Sequence, residues 1–186
     1  MTAGGFVLAG GRSSRMGRDK ALLPVRGRTL LEHMAEQVRA AAGSVTIVAD
    51  PARYARFEFP SVADERPGCG PLGGIVTALA VSTQPWNLIV ACDMPDVDAA
   101  FLAGLLDQAF ALRDPCDCLV PLGPSGPEPL CAVYQRGAMP KLRTALDRNI
   151  LKMRAVLAVL ETRLVAVADP RRFRNINTPE DWTDHG

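Results

Sequence analysis

Short runs of apolar residues alternate with helix-like segments along most of the 186-residue chain. The runs at residues 4–8, 45–48 and 87–92 carry few polar side chains, as strands do when helices cover both faces of a parallel sheet. Between them, apolar residues recur at helical spacing. This alternation predicts an α/β fold with a mostly parallel central sheet, in which ligands bind beyond the carboxyl ends of the strands.

Local signals define the individual elements. The clearest helix start is the capping box of Thr29 and Glu32. Further helices are predicted at residues 75–80, 98–112, 139–146 and 150–160, and further strands near residue 62 and at 119–120, 130–134 and 164–168. Residues 51–59 and 64–74 are predicted to be irregular, the latter because it holds four glycines and two prolines. Since no segment has the character of a linker, residues 1–186 are predicted to form one domain.

Composition excludes several classes of protein. The chain has 21 Lys and Arg against 20 Asp and Glu, so its net charge of +1 gives no general attraction to nucleic acid or to an anionic membrane. No apolar run approaches the ~18 residues of a membrane span, and residues 1–11 lack a basic leader. The five cysteines show no zinc or dithiol spacing and are expected to be reduced. We therefore expect a cytoplasmic protein that binds neither nucleic acid nor membrane.

A segment rich in glycine and arginine, residues 8–20, follows the first strand. Its glycines allow close approach of the backbone to a ligand, and six basic residues against one acid at 12–28 suit a polyphosphate. It is not a P-loop, because five residues separate Gly11 from Gly17 and alanine follows Lys20. It also lacks the G-x-G-x-x-G pattern of dinucleotide-binding proteins. The segment predicts a phosphate site of another kind, the alternative being a solvated surface loop.

A second polar position follows the buried strand at residues 87–92. Asp93 comes directly after this strand, where a carboxylate is well placed to take Mg²⁺, a cation that prefers oxygen ligands. The alternative is a turn-forming or capping aspartate. Because both this position and residues 8–20 follow the carboxyl ends of strands, we expect them to face one crevice.

Four segments carry a family resemblance. Residues 8–24 (LAGGRSSRMGRDKALLP), 68–74 (GCGPLGG), 91–95 (ACDMP) and 175–181 (NINTPED) resemble the motifs of nucleotidyltransferases with a GT-A-like fold. Among these they most resemble the molybdenum cofactor guanylyltransferases, the MobA family. The first motif is shared with cytidylyl- and uridylyltransferases, whereas the last motif and the short chain favour the guanylyl branch.

The resemblance implies a fold and a reaction. The fold would be a three-layer α/β/α, Rossmann-like nucleotidyltransferase, with a nucleotide-binding part at about 1–97 and an acceptor-binding part at about 98–186. The reaction would transfer GMP from GTP to molybdopterin with Mg²⁺, releasing pyrophosphate. GTP and molybdopterin would be its partners, with transient contacts to cofactor-handling proteins and molybdoenzymes.

The resemblance also implies roles for particular residues. The nucleotide would be bound by Leu8, Ala9, Gly10, Gly11, Lys20, Asp64, Gly70, Gly74 and Asp93. The predicted catalytic residues are Arg15 and Lys20, which would hold the β- and γ-phosphates, and Asp93, which would bind Mg²⁺. The acceptor would be bound by Asn175, Asn177 and Lys152. Simpler interpretations stay open: Asp64 as a partner for loop amides, Asn177 as a helix cap and Lys152 as an exposed helix residue.

The chain departs from the family at one position. Members often carry an asparagine near the base after the second strand, where this chain has Asp50. Three alternatives therefore stay open: a cytidylyltransferase for the same acceptor, a nucleotidyltransferase for another phosphorylated acceptor such as a sugar phosphate, and a binding module without catalysis. The presence of both Lys20 and Asp93 argues against the last.

Overall fold

The computed structural model describes residues 2–10 and 19–174. Its strands are β1 (Ala3–Leu8), β2 (Pro24–Val25), β3 (Arg28–Thr29), β4 (Thr46–Val48), β5 (Ser61–Val62), β6 (Trp86–Ala91), β7 (Cys118–Gly123), β8 (Gly126–Pro127), β9 (Cys131–Gln135) and β10 (Thr162–Ala166). Its α-helices are α1 (Leu30–Ala42), α2 (Pro51–Tyr54), α3 (Pro71–Val81), α4 (Ala99–Ala111), α5 (Met139–Asp147) and α6 (Met153–Leu157). Short 3₁₀ turns lie at Lys20–Leu22, Arg136–Ala138 and Pro170–Phe173.

The main sheet has the strand order β10-β7-β9-β6-β1-β4-β5, with β8 attached to β7. Strand β1 pairs in parallel with both β4 and β6, and the pairs β4–β5 and β7–β10 are parallel too. Strand β9 runs antiparallel to β6 and β7. The predicted, mostly parallel α/β sheet is confirmed, and it brings the carboxyl ends of β1, β4 and β6 to one edge.

Helices cover both faces of this sheet. Neighbouring residues of a strand point to opposite faces, and Val7 and Val90 accordingly pack into a core with α1 and α4. Phe6 and Ile89 pack on the other side with α3, α5 and α6. The apolar runs of β1 and β6 are explained by burial on both sides, and the layers are helix, sheet and helix.

Two segments predicted to be irregular contain helices. Within residues 51–59, α2 begins at Pro51, and Asp50 caps it by accepting a hydrogen bond from the N–H of Ala52. Within residues 64–74, α3 begins at Pro71 after Gly70, whose φ of 63° favours glycine. Both helices have proline at their first position, a helix-start signal that the sequence analysis did not use.

The later boundaries also differ from prediction. Helix α6 covers Met153–Leu157 rather than residues 150–160, and β10 covers Thr162–Ala166 rather than 164–168. The hydroxyl of Thr162 donates to the carbonyl of Leu157, which ties the end of the helix to the start of the strand. The bounds of β10 are set by its parallel pairing with β7, from Thr162 to Ala166. They could not be predicted from the local periodicity of the sequence, because this pairing joins distant parts of the chain.

All five cysteines are free, and four of them are buried. Among the helices of residues 2–10 and 19–174, none combines the length and the apolar character that crossing a membrane requires.

Candidate functional site

A cavity of about 230 Å³ opens where β1 and β6 end. We call it the central cavity. The predicted residues that line it are Leu8, Ala9, Gly10, Lys20 and Asp93. The parallel register of β1 and β6 pairs Leu8 with Ala91, so the segments after the two strands emerge side by side. The structure thus brings the described ends of the glycine-rich segment, residues 8–10 and Lys20, to one crevice with Asp93, as their positions after neighbouring strands predict.

Lys20 and Asp93 form the charged pair of this cavity. The ammonium Nζ of Lys20 lies 3.9 Å from Oδ2 of Asp93, and the side chains are 21% and 29% exposed. Burial raises the pKa of the Asp93 carboxyl, and the positive charge of Lys20 opposes that rise. The pair therefore places a cation and a carboxylate, both still accessible, on the wall of the same cavity.

Asp93 suits a cation that is shared with a ligand. The described residues contain no cluster of three or more His, Cys, Asp or Glu side chains that could hold a metal ion. Mg²⁺ is commonly bound by one or two carboxylates together with substrate phosphates and waters. A single accessible carboxylate beside a lysine fits that mode of binding better than a closed, all-protein metal site.

At the end of β1, some backbone N–H and C=O groups are already used in hydrogen bonds to neighbouring strands. The carbonyl of Leu8 accepts from the N–H of Cys92, and the N–H of Ala9 donates to the carbonyl of Val48. Gly10 follows these sheet bonds. Among the described residues, a Cβ at Gly10 would meet only the carbonyl oxygen of Val48, at 3.9 Å, so packing against them does not require glycine there. Close approach by a ligand would explain the glycine instead.

Three residues that the sequence analysis did not select, Asp19, Arg53 and Tyr54, support the central cavity. The hydroxyl of Tyr54 lies 3.2 Å from the carbonyl oxygen of Ala9 and 3.0 Å from Oδ2 of Asp19. Nε of Arg53 lies 2.7 Å from the same Oδ2. Burial and the neighbouring Asp19 raise the pKa of Tyr54, so its hydroxyl stays protonated. This Asp19–Arg53–Tyr54 cluster ties Ala9 to Asp19, and so fixes Gly10 relative to Lys20.

Tyr54→Phe should therefore lower the free energy of unfolding by about 1–2 kcal/mol, because a buried hydroxyl with two polar neighbours is lost. Tyr54 is only 3% exposed, so water cannot replace the hydrogen bonds without rearrangement. Urea unfolding followed by circular dichroism measures the change. A midpoint and slope equal to those of the unaltered protein would contradict a supporting role for the hydroxyl.

A second groove, of about 830 Å³, extends from Gly10 past the ends of β4 and β5. We call it the lateral groove. Asp64 lines it, and its Oδ1 accepts from the N–H of Arg66 at 2.9 Å and from the hydroxyl of Thr77 at 3.1 Å. Asp64 thus satisfies loop and helix groups while it faces the groove. Asp50 also lines this groove while it caps α2.

The two predicted glycines near α3 have different surroundings. Gly70 lines the lateral groove, and a Cβ there would meet nothing within 4 Å. Gly74 is buried instead. A Cβ there would lie 3.2 Å from Cδ2 of Leu8. Gly74 lines neither the central cavity nor the lateral groove. Gly74 makes room for Leu8, which lines the central cavity, and its contact with the nucleotide stays a prediction.

Of the predicted acceptor residues, Lys152 lies in the described part of the chain. It is exposed just before α6 and lines none of the central cavity, the lateral groove and the distal groove defined below, so its role at the acceptor stays a prediction. Gly11, Arg15, Asn175 and Asn177 lie outside the described residues.

A third groove, of about 1000 Å³, lies on the other side of the central cavity. We call it the distal groove. The turn after β6 contributes Asp93 to the central cavity and Asp96 to the distal groove. The segment before β9 likewise contributes Leu130 to the central cavity and Glu128 to the distal groove. All three spaces lie at the carboxyl edge of the sheet, and the central cavity and the lateral groove share Ala9 and Gly10.

Comparison with known proteins agrees with this arrangement. The family described as MobA-like NTP transferase domain matches residues 5–166. A probable molybdenum cofactor guanylyltransferase of Methanothermobacter thermautotrophicus is 36% identical, with 94% of each chain covered. The molybdenum cofactor guanylyltransferase of Xanthomonas euvesicatoria pv. vesicatoria is also 36% identical, over 96% of this chain and 92% of that one.

Among solved structures, the molybdopterin-guanine dinucleotide biosynthesis protein A of Archaeoglobus fulgidus superposes with a TM-score of 0.81. The two chains are 29% identical, with 97% of this chain and 95% of that chain covered. Sequence and structure thus agree over nearly the whole length, and the chain belongs to the MobA-like NTP transferase domain family.

Proposed function

We propose that this protein transfers GMP from GTP to molybdopterin, forming the guanine dinucleotide of the cofactor and pyrophosphate, with Mg²⁺ as cofactor. The observation that carries the proposal is the Lys20–Asp93 pair, 3.9 Å apart in a cavity at the strand ends. Relatives that are 36% identical over more than nine-tenths of the chain bear the name of this activity. The terminal phosphate of molybdopterin would attack the α-phosphorus of GTP, and pyrophosphate would leave with the electrons of the broken P–O bond.

The described residues suit the demands of this reaction. In-line phosphoryl transfer depends on alignment and charge neutralisation more than on a nucleophilic side chain. Gly10 would offer its N–H to a phosphate, and the ammonium of Lys20 would hold the β- and γ-oxygens as negative charge develops on the leaving pyrophosphate. Asp93 would hold Mg²⁺, which when bound supplies further charge neutralisation at the phosphates. Gly11 and Arg15 complete the phosphate site in this proposal.

The grooves suggest how the substrates divide the site. The lateral groove, beyond β4 and β5, would take the guanosine of GTP against Gly70. The distal groove, on the β7–β9 side, would take the acceptor, with Asn175 and Asn177 as further contacts. The division into a nucleotide-binding part at about 1–97 and an acceptor-binding part at about 98–186 is part of this proposal. Cofactor-handling proteins and molybdoenzymes would then exchange the acceptor and the product with the protein.

Calorimetric titration with GTP, CTP, UTP and ATP in the presence of Mg²⁺ tests the nucleotide half of the proposal. We expect clear preference for GTP. Preference for CTP would instead assign a cytidylyltransferase with Lys20 and Asp93 in the same roles, and it would locate the difference at the lateral groove, where Asp50 lies.

Gly10→Ala should weaken GTP binding about tenfold without loss of stability, because the described residues leave room for a methyl group there but a phosphate at the backbone would not. Calorimetry measures the affinity, and urea unfolding measures the stability. Gly104→Ala is the matched control, since Gly104 lies in α4 with open space around it. Unchanged GTP affinity in Gly10→Ala would remove Gly10 from the phosphate site.

A further inference from the structure

Glu128 differs from the other carboxylates of the distal groove. Three of these lie 2.9–3.8 Å from an arginine guanidinium: Asp96, Asp98 and Asp169. Glu128 makes no side-chain hydrogen bond or ion pair with any residue that the structure describes. Its side chain is half-buried, and burial raises the pKa of its carboxyl. The cost of partly desolvating this carboxylate is therefore not offset within the described chain.

The backbone holds Glu128 in place. Its N–H donates to the carbonyl of Pro121 at 2.9 Å, and its carbonyl accepts from the N–H of Cys131 at 3.1 Å. A Cβ at Gly123 would collide with Oε1 of Glu128, so glycine at that position leaves the space that the carboxylate occupies. Glu128 is thus a preorganised hydrogen-bond acceptor in the wall of the distal groove, which lies at the same carboxyl edge of the sheet as the Lys20–Asp93 pair.

An ionised carboxylate accepts two hydrogen bonds well from a pair of adjacent N–H groups. The ring N–H and exocyclic amine of a 2-amino-4-oxopyrimidine form such a pair. In the proposed reaction this edge occurs twice, in the guanine of GTP and in the pterin ring of molybdopterin. Glu128 precedes β9, whereas the lateral groove lies beyond β4 and β5 on the opposite side of β1 and β6. Its location therefore favours the acceptor.

We infer that the Glu128 carboxylate binds the 2-amino-4-oxopyrimidine edge of the acceptor's pterin ring and so selects the acceptor. This inference rests on the proposed function for the identity of the acceptor. It makes Glu128 a binding residue, and it predicts an effect on the acceptor that is separate from any effect on GTP.

The test compares the unaltered protein with Glu128→Gln, which keeps the shape of the side chain but loses its charge and one acceptor. Fluorescence titration with pterin and with lumazine, which has an oxo group in place of the 2-amino group, measures recognition of the ring without turnover. Steady-state assays at saturating GTP give the KM for molybdopterin, and calorimetry gives the affinity for GTP. Glu58→Gln is the matched control, because Glu58 is exposed and lines none of the central cavity, the lateral groove and the distal groove.

We expect the unaltered protein to bind pterin at least ~10-fold more tightly than lumazine, and Glu128→Gln to lose this difference and raise the KM for molybdopterin similarly. The affinity for GTP should stay within about twofold, and Glu58→Gln should change none of these values. The inference is overturned if Glu128→Gln still discriminates pterin from lumazine, or if the unaltered protein does not. Loss of GTP affinity in Glu128→Gln would overturn it too, by placing guanine at this site. Pterin discrimination without GMP transfer would contradict the proposed function alone.

Discussion

Asp93→Ala is expected to slow GMP transfer by at least ~10³-fold while the protein stays folded. Asp93 is the carboxylate of the central cavity that remains 29% exposed beside Lys20, so its loss removes the proposed ligand for Mg²⁺. Stability should change little, because burial already disfavours the ionised form of this side chain. The rate of pyrophosphate release at saturating GTP and Mg²⁺ measures activity, and thermal unfolding followed by circular dichroism measures the fold.

Asp93→Asn separates the charge of Asp93 from its shape, and Asp114→Asn is the control. Asp93→Asn keeps the size of the side chain, and it should lose nearly as much activity because an amide is a poor ligand for Mg²⁺. Asp114→Asn removes a carboxylate whose side chain is 80% exposed away from the cavities described above, and it should leave activity unchanged. Full activity of Asp93→Ala in the presence of Mg²⁺ would refute the metal-binding role.

Lys20→Ala is expected to weaken the binding of GTP about 10- to 100-fold, since a hydrogen bond between charged groups contributes about 1.5–3 kcal/mol. Lys20 is fixed next to Asp19, whose carboxylate caps the turn that starts at Lys20 and is held by Tyr54 and Arg53. Its ammonium is therefore preorganised for the triphosphate. Calorimetric titration with GTP in the presence of Mg²⁺ measures the loss.

Arg143→Ala is the control for the change in net charge, because Arg143 is exposed on α5. Its affinity for GTP should match that of the unaltered protein. The effect of Lys20→Ala should also shrink at higher salt concentration, where charge–charge attraction is screened. Equal affinities for Lys20→Ala and the unaltered protein at low salt would remove Lys20 from the site.

The sequence predicts best those elements whose local signals agree with their tertiary environment. Strands β1 and β6 are apolar throughout because both of their faces are buried, and α1 begins at a complete capping box at Thr29. The start of α3 is less evident, because its glycines suggest a loop. Packing explains Gly73 instead, because a Cβ there would lie 2.7 Å from the carbonyl oxygen of Arg66. Glycine content alone does not distinguish these two causes.

The candidate site divides in a similar way. Lys20 and Asp93 could be paired from the sequence, since segments that follow neighbouring parallel strands emerge at one edge. The contact between Tyr54 and Asp19 could not be predicted from the sequence, because 35 residues separate the two and the helix that carries Tyr54 was predicted to be irregular. Glu128 could not be selected from the sequence either, because its distinguishing feature is that its side chain has no hydrogen-bond or ion-pair partner among the described residues. Only the arrangement of its neighbours in space reveals that feature.

The most direct measurement follows the α-phosphorus of GTP. The purified protein is incubated with Mg²⁺, molybdopterin and GTP that carries a label on the α-phosphorus, and the products are separated. The account predicts that the label appears in a guanine dinucleotide of molybdopterin, with one pyrophosphate released for each labelled product and none without the acceptor. Pyrophosphate release without labelled dinucleotide, or transfer from CTP in preference to GTP, would contradict it.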